Sequence, residues 1–315
     1  MIEAGKRLLA AIPTLFVVVT VVFLILHVLP GDPAAVLLGG APSTPSVIRS
    51  LRQQLGLNAS LADQYWRYLH GLITGNLGTS YVTGQSVTQM IGQALPSTLE
   101  LAGTAIMLSV VAGTGLGMLS AIRARTWTDG LIRAVSQLGT SVPSFWSGIL
   151  LVLIFSVRLR WFPSVGGGGI AALVLPAVTL SFVGTALLSR IVRTSVLETM
   201  NRPFVLQLHA KGLRPSAVYF RHVLKSGLLA SLTVTALLLA EMLAGTVVIE
   251  TVFSRQGIGR LLVTSIAAKD LPVVQGVILL IAVIYILLNV AVDLSYPLID
   301  PRLRQGRAAG PDAGA

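Results

Sequence analysis

Residues 8–29 read LLAAIPTLFVVVTVVFLILHVL, and this stretch decides the class of fold. It contains no Lys, Arg, Asp or Glu, whereas Lys6 and Arg7 stand directly before it. An α-helix rises about 1.5 Å per residue, so about 20 apolar residues cross a hydrocarbon core of about 30 Å. The stretch is too long for a signal peptide and no small-residue cleavage site follows it. We therefore interpret it as a retained membrane span.

The composition extends this interpretation to the whole chain. Of its 315 residues 54% are hydrophobic and only 11% are charged, and the mean hydropathy is +0.81. Because charge is what a bilayer excludes, the deficit disfavours a soluble protein with a large core. The absence of cysteine excludes disulfides, thiolate metal sites and a cysteine nucleophile. No two of the four histidines have the i,i+4 spacing of a helical metal site, so no metal site is predicted.

Five further apolar runs complete the prediction of an all-α integral membrane protein with about six transmembrane helices. The fourth span is interrupted by Pro176 and Gly184, but neighbouring helices can satisfy backbone groups that a proline leaves free. The five runs are Leu99–Ile122, Ala134–Val157, Ile170–Val192, Leu228–Ile249 and Val273–Leu294.

The distribution of Lys and Arg predicts the orientation. With six spans both termini share one side, and that side carries 15 of the 23 basic residues. The positive-inside rule then places both termini in the cytoplasm. The basic residues are spread over loops rather than gathered on one soluble face, so the formal charge of +11 does not indicate binding to nucleic acid.

The predicted spans divide the chain into segments. Residues 1–29 form the N-terminal transmembrane helix, and residues 30–94 form a small external helical subdomain. Residues 95–304 hold five transmembrane helices with a cytoplasmic loop at 193–227, and residues 305–315 are expected to be a disordered tail.

Within the external subdomain, helices are predicted over Thr44–Leu55 and Leu61–Ile73. Ser60 and Asp63 resemble a capping box at the start of the second helix. The subdomain is either a packed cap without chemistry or a functional surface. The glycine run Gly166–Gly169 is expected to be a flexible outer turn.

The cytoplasmic loop carries two short amphipathic patterns. Phe204, Val205 and Leu208 form an apolar stripe, Gly212 breaks the helix, and Pro215 can open a second one. Two interpretations stay open at this point. The loop is a surface that a partner grips, or it is a pair of interfacial helices lying on anionic lipid. The second helix continues the apolar face with Val218, Tyr219, His222 and Val223.

No motif for catalysis is present. The chain lacks a G-x-x-x-x-G-K-[ST] phosphate loop, a G-x-S-x-G elbow and an H-E-x-x-H pair, so we predict no catalytic residue and no bound cofactor.

Glu241 is the main anomaly, because an isolated carboxylate near the centre of a span costs at least about 2.5 kcal/mol. It either contacts a substrate amine or cation in a translocation pathway, or is a protonated or Arg-paired structural residue. Glu250 and Asp293 lie near span ends and are expected to reach water.

The loop sequence FVLQLHAKGLRPSAVYFRHVLKSGLL, residues 204–229, resembles the signature loop of binding-protein-dependent ABC permeases. That loop commonly reads YVRTARAKGL, followed by a helix with His and Leu. Further segments resemble the dipeptide, oligopeptide and nickel permeases: HVLPGDPA at 27–34, IETVFSRQGIGRLL at 249–262 and LIDPRLR at 298–304. By this resemblance the residues expected to couple to ATPases are Phe204, Leu208, Ala210, Lys211, Gly212, Leu213, Val218 and His222.

The resemblance implies a B-type permease subunit of a peptide-class importer in the inner (plasma) membrane of a prokaryote. Its implied partners are a second related permease, two ATPase subunits that use ATP and Mg²⁺, and an extracytoplasmic binding protein. The substrate stays open among dipeptides, longer peptides, nickel chelates, glutathione and haem. Two alternatives are an ion-driven secondary transporter, which would favour several carboxylates within spans, and a membrane assembly factor without transport.

Overall fold

The computed structural model describes residues 2–28, 32–38, 45–163 and 169–299. Within these ranges the secondary structure is helical, and the only strand-like pairing is a single bridge between Thr79 and Ser86. The glycine run up to Gly168, the tail 305–315 and the motif from Asp300 to Arg304 lie outside the described residues.

Thirteen α-helices follow one another in the described part of the chain, with π-helical turns at 152–158 and 218–223. They are α1 (Ile2–Val28), α2 (Pro33–Leu37), α3 (Pro45–Gln54), α4 (Leu61–Thr74), α5 (Val87–Ile122), α6 (Trp127–Ser141), α7 (Ser144–Leu151), α8 (Ile170–Met200), α9 (Pro203–Ala210), α10 (Pro215–Ala217), α11 (Leu224–Val252), α12 (Ile258–Ala267) and α13 (Leu271–Ile299).

Most of the predicted spans coincide with long helices. Among the residues searched, α5, α8 and the part of α13 up to Ala291 are each long and apolar enough to cross a bilayer. The bent pair of α6 and α7 makes a fourth if it counts as one span. The first and fifth predicted spans fall on α1 and α11, which are not among these helices. The total of six spans therefore stays a prediction. α8 is continuous through Pro176, as the fourth span requires.

The third span is not the continuous helix that the sequence predicted over Ala134–Val157. α6 ends at Ser141, and the chain bends by 109° before continuing. Val142 has φ −89° and ψ 128°, the extended conformation that a following proline imposes through its ring. Pro143 is therefore the cause of the break.

One compact unit holds the residues up to Thr98 together with Gln256–Leu287. The two helices predicted between the first two spans are confirmed as α3 and α4, and Ser60 caps α4 by accepting a hydrogen bond from the backbone N–H of Asp63 at 3.2 Å. Asp270 is buried and accepts from Ser80 Oγ at 2.5 Å and from the N–H of Tyr81 at 2.9 Å. These bonds fix the turn that leads into α13. The core of the unit contains Val87, Ile91, Ala94, Ile258, Val273 and Val277.

The other unit holds Leu99–Arg255 and the chain from Leu288. Its central helix is α8, which packs against α6, α7 and α11. Arg255 beyond α11 donates to Glu100 of α5 at 3.0 Å. One of its two apolar clusters contains Leu101, Ala105, Leu173, Leu175, Ala177, Leu180, Met242, Ile249 and Phe253.

Two glycines of α5, four residues apart, lie directly against α8. A Cβ atom at Gly113 would lie 2.7 Å from the Cβ of Leu188, and one at Gly117 would lie 2.6 Å from the carbonyl oxygen of Ser189. Small residues at this spacing let two membrane helices pack backbone to backbone. Any side chain at either position would push the helices apart.

We expect Gly117→Val to destabilise the protein by about 1–3 kcal/mol, because the added methyl groups overpack this contact. Gly115→Val is the matched control, because a Cβ there meets no atom within 4 Å. Thermal unfolding of the purified chain in detergent measures both variants. Equal midpoint shifts for the two variants would contradict the glycine contact.

Candidate functional site

The segment joining α8 to α11 folds into two short helices. α9 begins at Pro203, where the missing N–H of proline is not needed in the first helical turn. α10 begins in the same way at Pro215 and continues into the π-helical turn before α11. We call residues 203–224 the α8–α11 loop.

Gly212 ends α9 through a Schellman motif. Its N–H donates to the carbonyl of His209 at 2.9 Å, and the N–H of Leu213 donates to the carbonyl of Leu208 at 3.3 Å. Gly212 has a φ of +76°, a left-handed conformation that costs most other residues about 1–2 kcal/mol. Leu208 and Leu213 join one apolar cluster, as is usual for this motif. The predicted helix break at Gly212 is confirmed.

Three buried valines attach the α8–α11 loop to the rest of its own unit. They are Val205 of α9 and Val218 and Val223 of the π-helical turn. They pack into a second apolar cluster with the end of α8 and the end of α5, so the loop is a fixed part of the unit. The buried partners there are Met118, Ala121, Val192 and Val196.

Most of the apolar stripe predicted to face a partner therefore faces inward, and only Phe204 of that stripe is exposed. Val218 is fully buried and Leu208 is half-buried in the same cluster, so both anchor the loop to its own chain. Two further apolar side chains point outward. Leu206 is 74% exposed and Phe220 is 62% exposed. The sequence did contain a signal for this outward surface, because Leu206 stands on the side of α9 opposite Val205 and Leu208.

The other predicted coupling residues divide between the two surfaces. Phe204, Ala210, Lys211 and Gly212 are exposed, and they surround Leu206 along the chain. Leu213 and His222 are half-buried. The loop thus presents a mixed apolar and basic outer surface on a rigid base.

An ion pair that sequence reasoning missed fixes the end of α8. Arg193 donates to both carboxylate oxygens of Asp129, from Nε at 2.8 Å and from Nη2 at 2.9 Å. Asp129 is 1% exposed and also accepts from Ser120 Oγ at 2.6 Å and from the N–H of Arg125 at 3.1 Å. This network joins α5, α6 and α8 just before the α8–α11 loop. The sequence offered no signal beyond an acidic residue in the first turn of α6.

The acidic residues of the predicted spans differ in their surroundings. Glu241 is exposed on its own chain and forms no ion pair with a residue that the structure describes. Glu250 is fully buried, so the expectation that it reaches water is wrong. The side chain of Asp293 lies outside the described part.

The structure brings no candidate metal ligands together in the described ranges, where no three His, Asp or Glu side chains cluster.

We expect Asp129→Asn to lower the free energy of unfolding by about 1.5–3 kcal/mol, because it weakens two charge-assisted hydrogen bonds of a partly buried arginine. Arg133→Gln is the control, since Arg133 is largely exposed and lies 3.5 Å from the same carboxylate. That change should cost no more than about 1 kcal/mol. If urea or heat unfolds both variants alike, the Asp129 network does not stabilise this end of α8.

Comparison with known protein families gives two matches, which together cover most of the chain. Residues 4–102 match the family described as "Binding-prot-dependent transport system membrane comp, N-term". Residues 113–305 match the family "Binding-protein-dependent transport system inner membrane component".

Curated relatives cover almost the whole chain. The "Glutathione transport system permease protein GsiC" of Pectobacterium atrosepticum is 38% identical over 299 residues, covering 95% of this chain and 97% of the relative. The "Probable peptide ABC transporter permease protein y4tP" of Sinorhizobium fredii is 39% identical over 307 residues, covering 95% and 98%.

Two solved structures share the fold. The methionine ABC transporter MetNI matches with a TM-score of 0.54 at 15% identity, covering 68% of this chain and 97% of that chain. An amino acid ABC transporter with histidines matches with a TM-score of 0.51 at 15% identity, covering 68% and 94%. The family assignment favours the permease hypothesis over a secondary transporter or an assembly factor. The chain belongs to the family of binding-protein-dependent transport system inner membrane components and is a permease of an ABC importer.

Proposed function

We propose that this permease forms half of the translocation pathway for a peptide or a related small solute. The substrate class rests on the names of the relatives, which refer to glutathione and peptide transport. In this proposal a second related permease completes the pathway and an extracytoplasmic binding protein delivers the solute. Two ATPase subunits supply the energy by hydrolysing ATP with the help of Mg²⁺. This chain itself binds neither ATP nor Mg²⁺.

The observation that supports a coupling role is the arrangement of buried and exposed side chains in the α8–α11 loop. Its base is anchored by buried valines, while Leu206 and Phe220 point outward and Lys211 is exposed as well. A helix that offers an apolar face on a fixed base suits docking into a groove of a partner. We propose that each ATPase subunit receives this surface on one permease, so that motion on ATP binding reaches α8 and α11.

The proposed orientation puts the α8–α11 loop and both termini in the cytoplasm. Its support is the excess of Lys and Arg on that side, 15 of 23. This side is also where ATP is available to partner ATPases.

Glu241 is proposed to face the pathway or the second permease. Its carboxylate is exposed on its own chain near the middle of α11, and contact with lipid would be costly at that depth. A wet cavity or a partner subunit removes that cost. A positive group of the solute is the contact that this carboxylate can provide.

For the coupling loop we expect Gly212→Val to leave the chain inserted but to reduce both the retained ATPase subunits and transport. Valine resists a positive φ, so α10 should be re-aimed relative to α9. Gly212→Asn is the control at the same position, because asparagine tolerates the left-handed conformation. The measurement is co-purification of ATPases together with uptake in proteoliposomes. Val and Asn variants that behave alike would refute the role of this turn.

For the pathway we expect Glu241→Gln to impair uptake while the complex assembles with its ATPases. Glu198→Gln is the matched control, an exposed glutamate near the end of α8. Uptake of labelled peptide and the recovery of intact complex are measured together. Wild-type uptake by an intact Glu241→Gln complex would exclude an essential charge here, and loss of the complex itself would indicate a structural role.

A further inference from the structure

Helix α4 presents three distinct faces. Tyr65 and Tyr68 turn toward α1, and Arg67 lies on a polar face that borders a cavity. The third face is not covered by the described residues, and His70 lies on it between two large apolar side chains. On it Trp66 is 70% exposed and Ile73 is 87% exposed. These two residues are seven positions apart, which places them on one side of a helix, two turns apart.

α4 crosses α1 well inside the apolar run of residues 8–29. The hydroxyls of Thr20 and Tyr65 are 2.6 Å apart, and Phe23 packs on the ring of Tyr65 with centroids 5.1 Å apart. Closer to the C-terminal end of α1, His27 Nε2 lies 3.1 Å from Gln64 Oε1. Thr20 precedes the end of the run by nine residues, which corresponds to about 14 Å along a helix. α4 therefore lies level with the last part of the first span.

The side of α1 not covered by α4 stays apolar over the same stretch. Val21, Leu24, Ile25 and Val28 are all exposed there. A surface of this kind is suited to lipid, not water. Because α4 contacts α1 over this same stretch, at Thr20, Phe23 and His27, the two helices lie at the same depth there.

We propose that α4 is an interfacial helix whose Trp66 and Ile73 insert into the boundary between lipid headgroups and acyl chains. Such helices bury their apolar face by about 5–10 Å, and tryptophan is enriched at this depth. The segment between the first two spans is then a membrane-bound element and not a freely projecting subdomain.

The polar face of α4 fits the same placement. Arg67 and His70 line a cavity of about 590 Å³ that no Asp or Glu lines. It is bordered by Gln54, Tyr81 and other polar groups, so water in it can solvate the charged side chain. Arg67 thus faces a polar cavity, while Trp66 and Ile73 point outward, and His70 lies at the boundary between the two.

Adjacent positions on α4 allow a matched test. In a chain without other tryptophan, Ile73→Trp reports on the apolar face and Thr74→Trp reports on the polar face. The full chain is reconstituted into phosphatidylcholine vesicles that carry bromine near the headgroup end of the acyl chains. The native residues replaced by Phe for this purpose are Trp66, Trp127, Trp146 and Trp161.

The emission of Ile73→Trp should be lost in brominated relative to unbrominated vesicles, with weak quenching by aqueous acrylamide. The emission of Thr74→Trp should be unchanged by bromine and quenched by acrylamide. Native Trp66, kept as the single tryptophan, should behave like Ile73→Trp. The proposal fails if bromine leaves both apolar-face reporters unchanged. It also fails if acrylamide reaches them until purified binding protein is added, because the face would then dock that protein.

Discussion

The close approach of α5 and α8 at Gly113 and Gly117 is the contact on which the rest of the second unit depends. One turn beyond it, Met118 and Ala121 of α5 pack against Val192 and Val196 of α8. The α8–α11 loop packs on this same cluster. Ser120 and Asp129 then hold Arg193 at the end of α8. Because these contacts are consecutive, the loop and the adjoining ends of α5 and α8 form one continuous packed region.

Much of the fold was predictable, because apolar length and turn residues leave direct signals. The spans, the capped helix α4 and the break at Gly212 all follow from local physics. The bend at Pro143 was missed, since a window of hydropathy continues across it although the backbone does not. Pro176 has the same signal and is accommodated within α8. A proline alone therefore does not say whether a span is broken.

The helices of the candidate site were predictable, but the direction in which their side chains face was not. Sequence assigned Leu208 and Val218 to the surface that a partner grips, and the structure buries them partly and fully. An apolar stripe says which residues avoid water, but not whether they contact the same chain or another. Pairings across long separations, such as Asp129 with Arg193, have no local pattern at all. Glu250 was misjudged for a similar reason, because its burial depends on helices distant in sequence.

The central claim is that the outward surface around Leu206 contacts an ATPase subunit. Since the chain contains no cysteine, Leu206→Cys can carry a single photoreactive benzophenone in the assembled transporter. Leu131→Cys, at an exposed leucine of α6 outside the loop, is the control. The account predicts that irradiation links the Leu206→Cys chain to an ATPase subunit and that the Leu131→Cys chain forms no such product. Linkage of the Leu206→Cys chain to lipid alone would contradict it and would favour a loop that lies on the membrane surface.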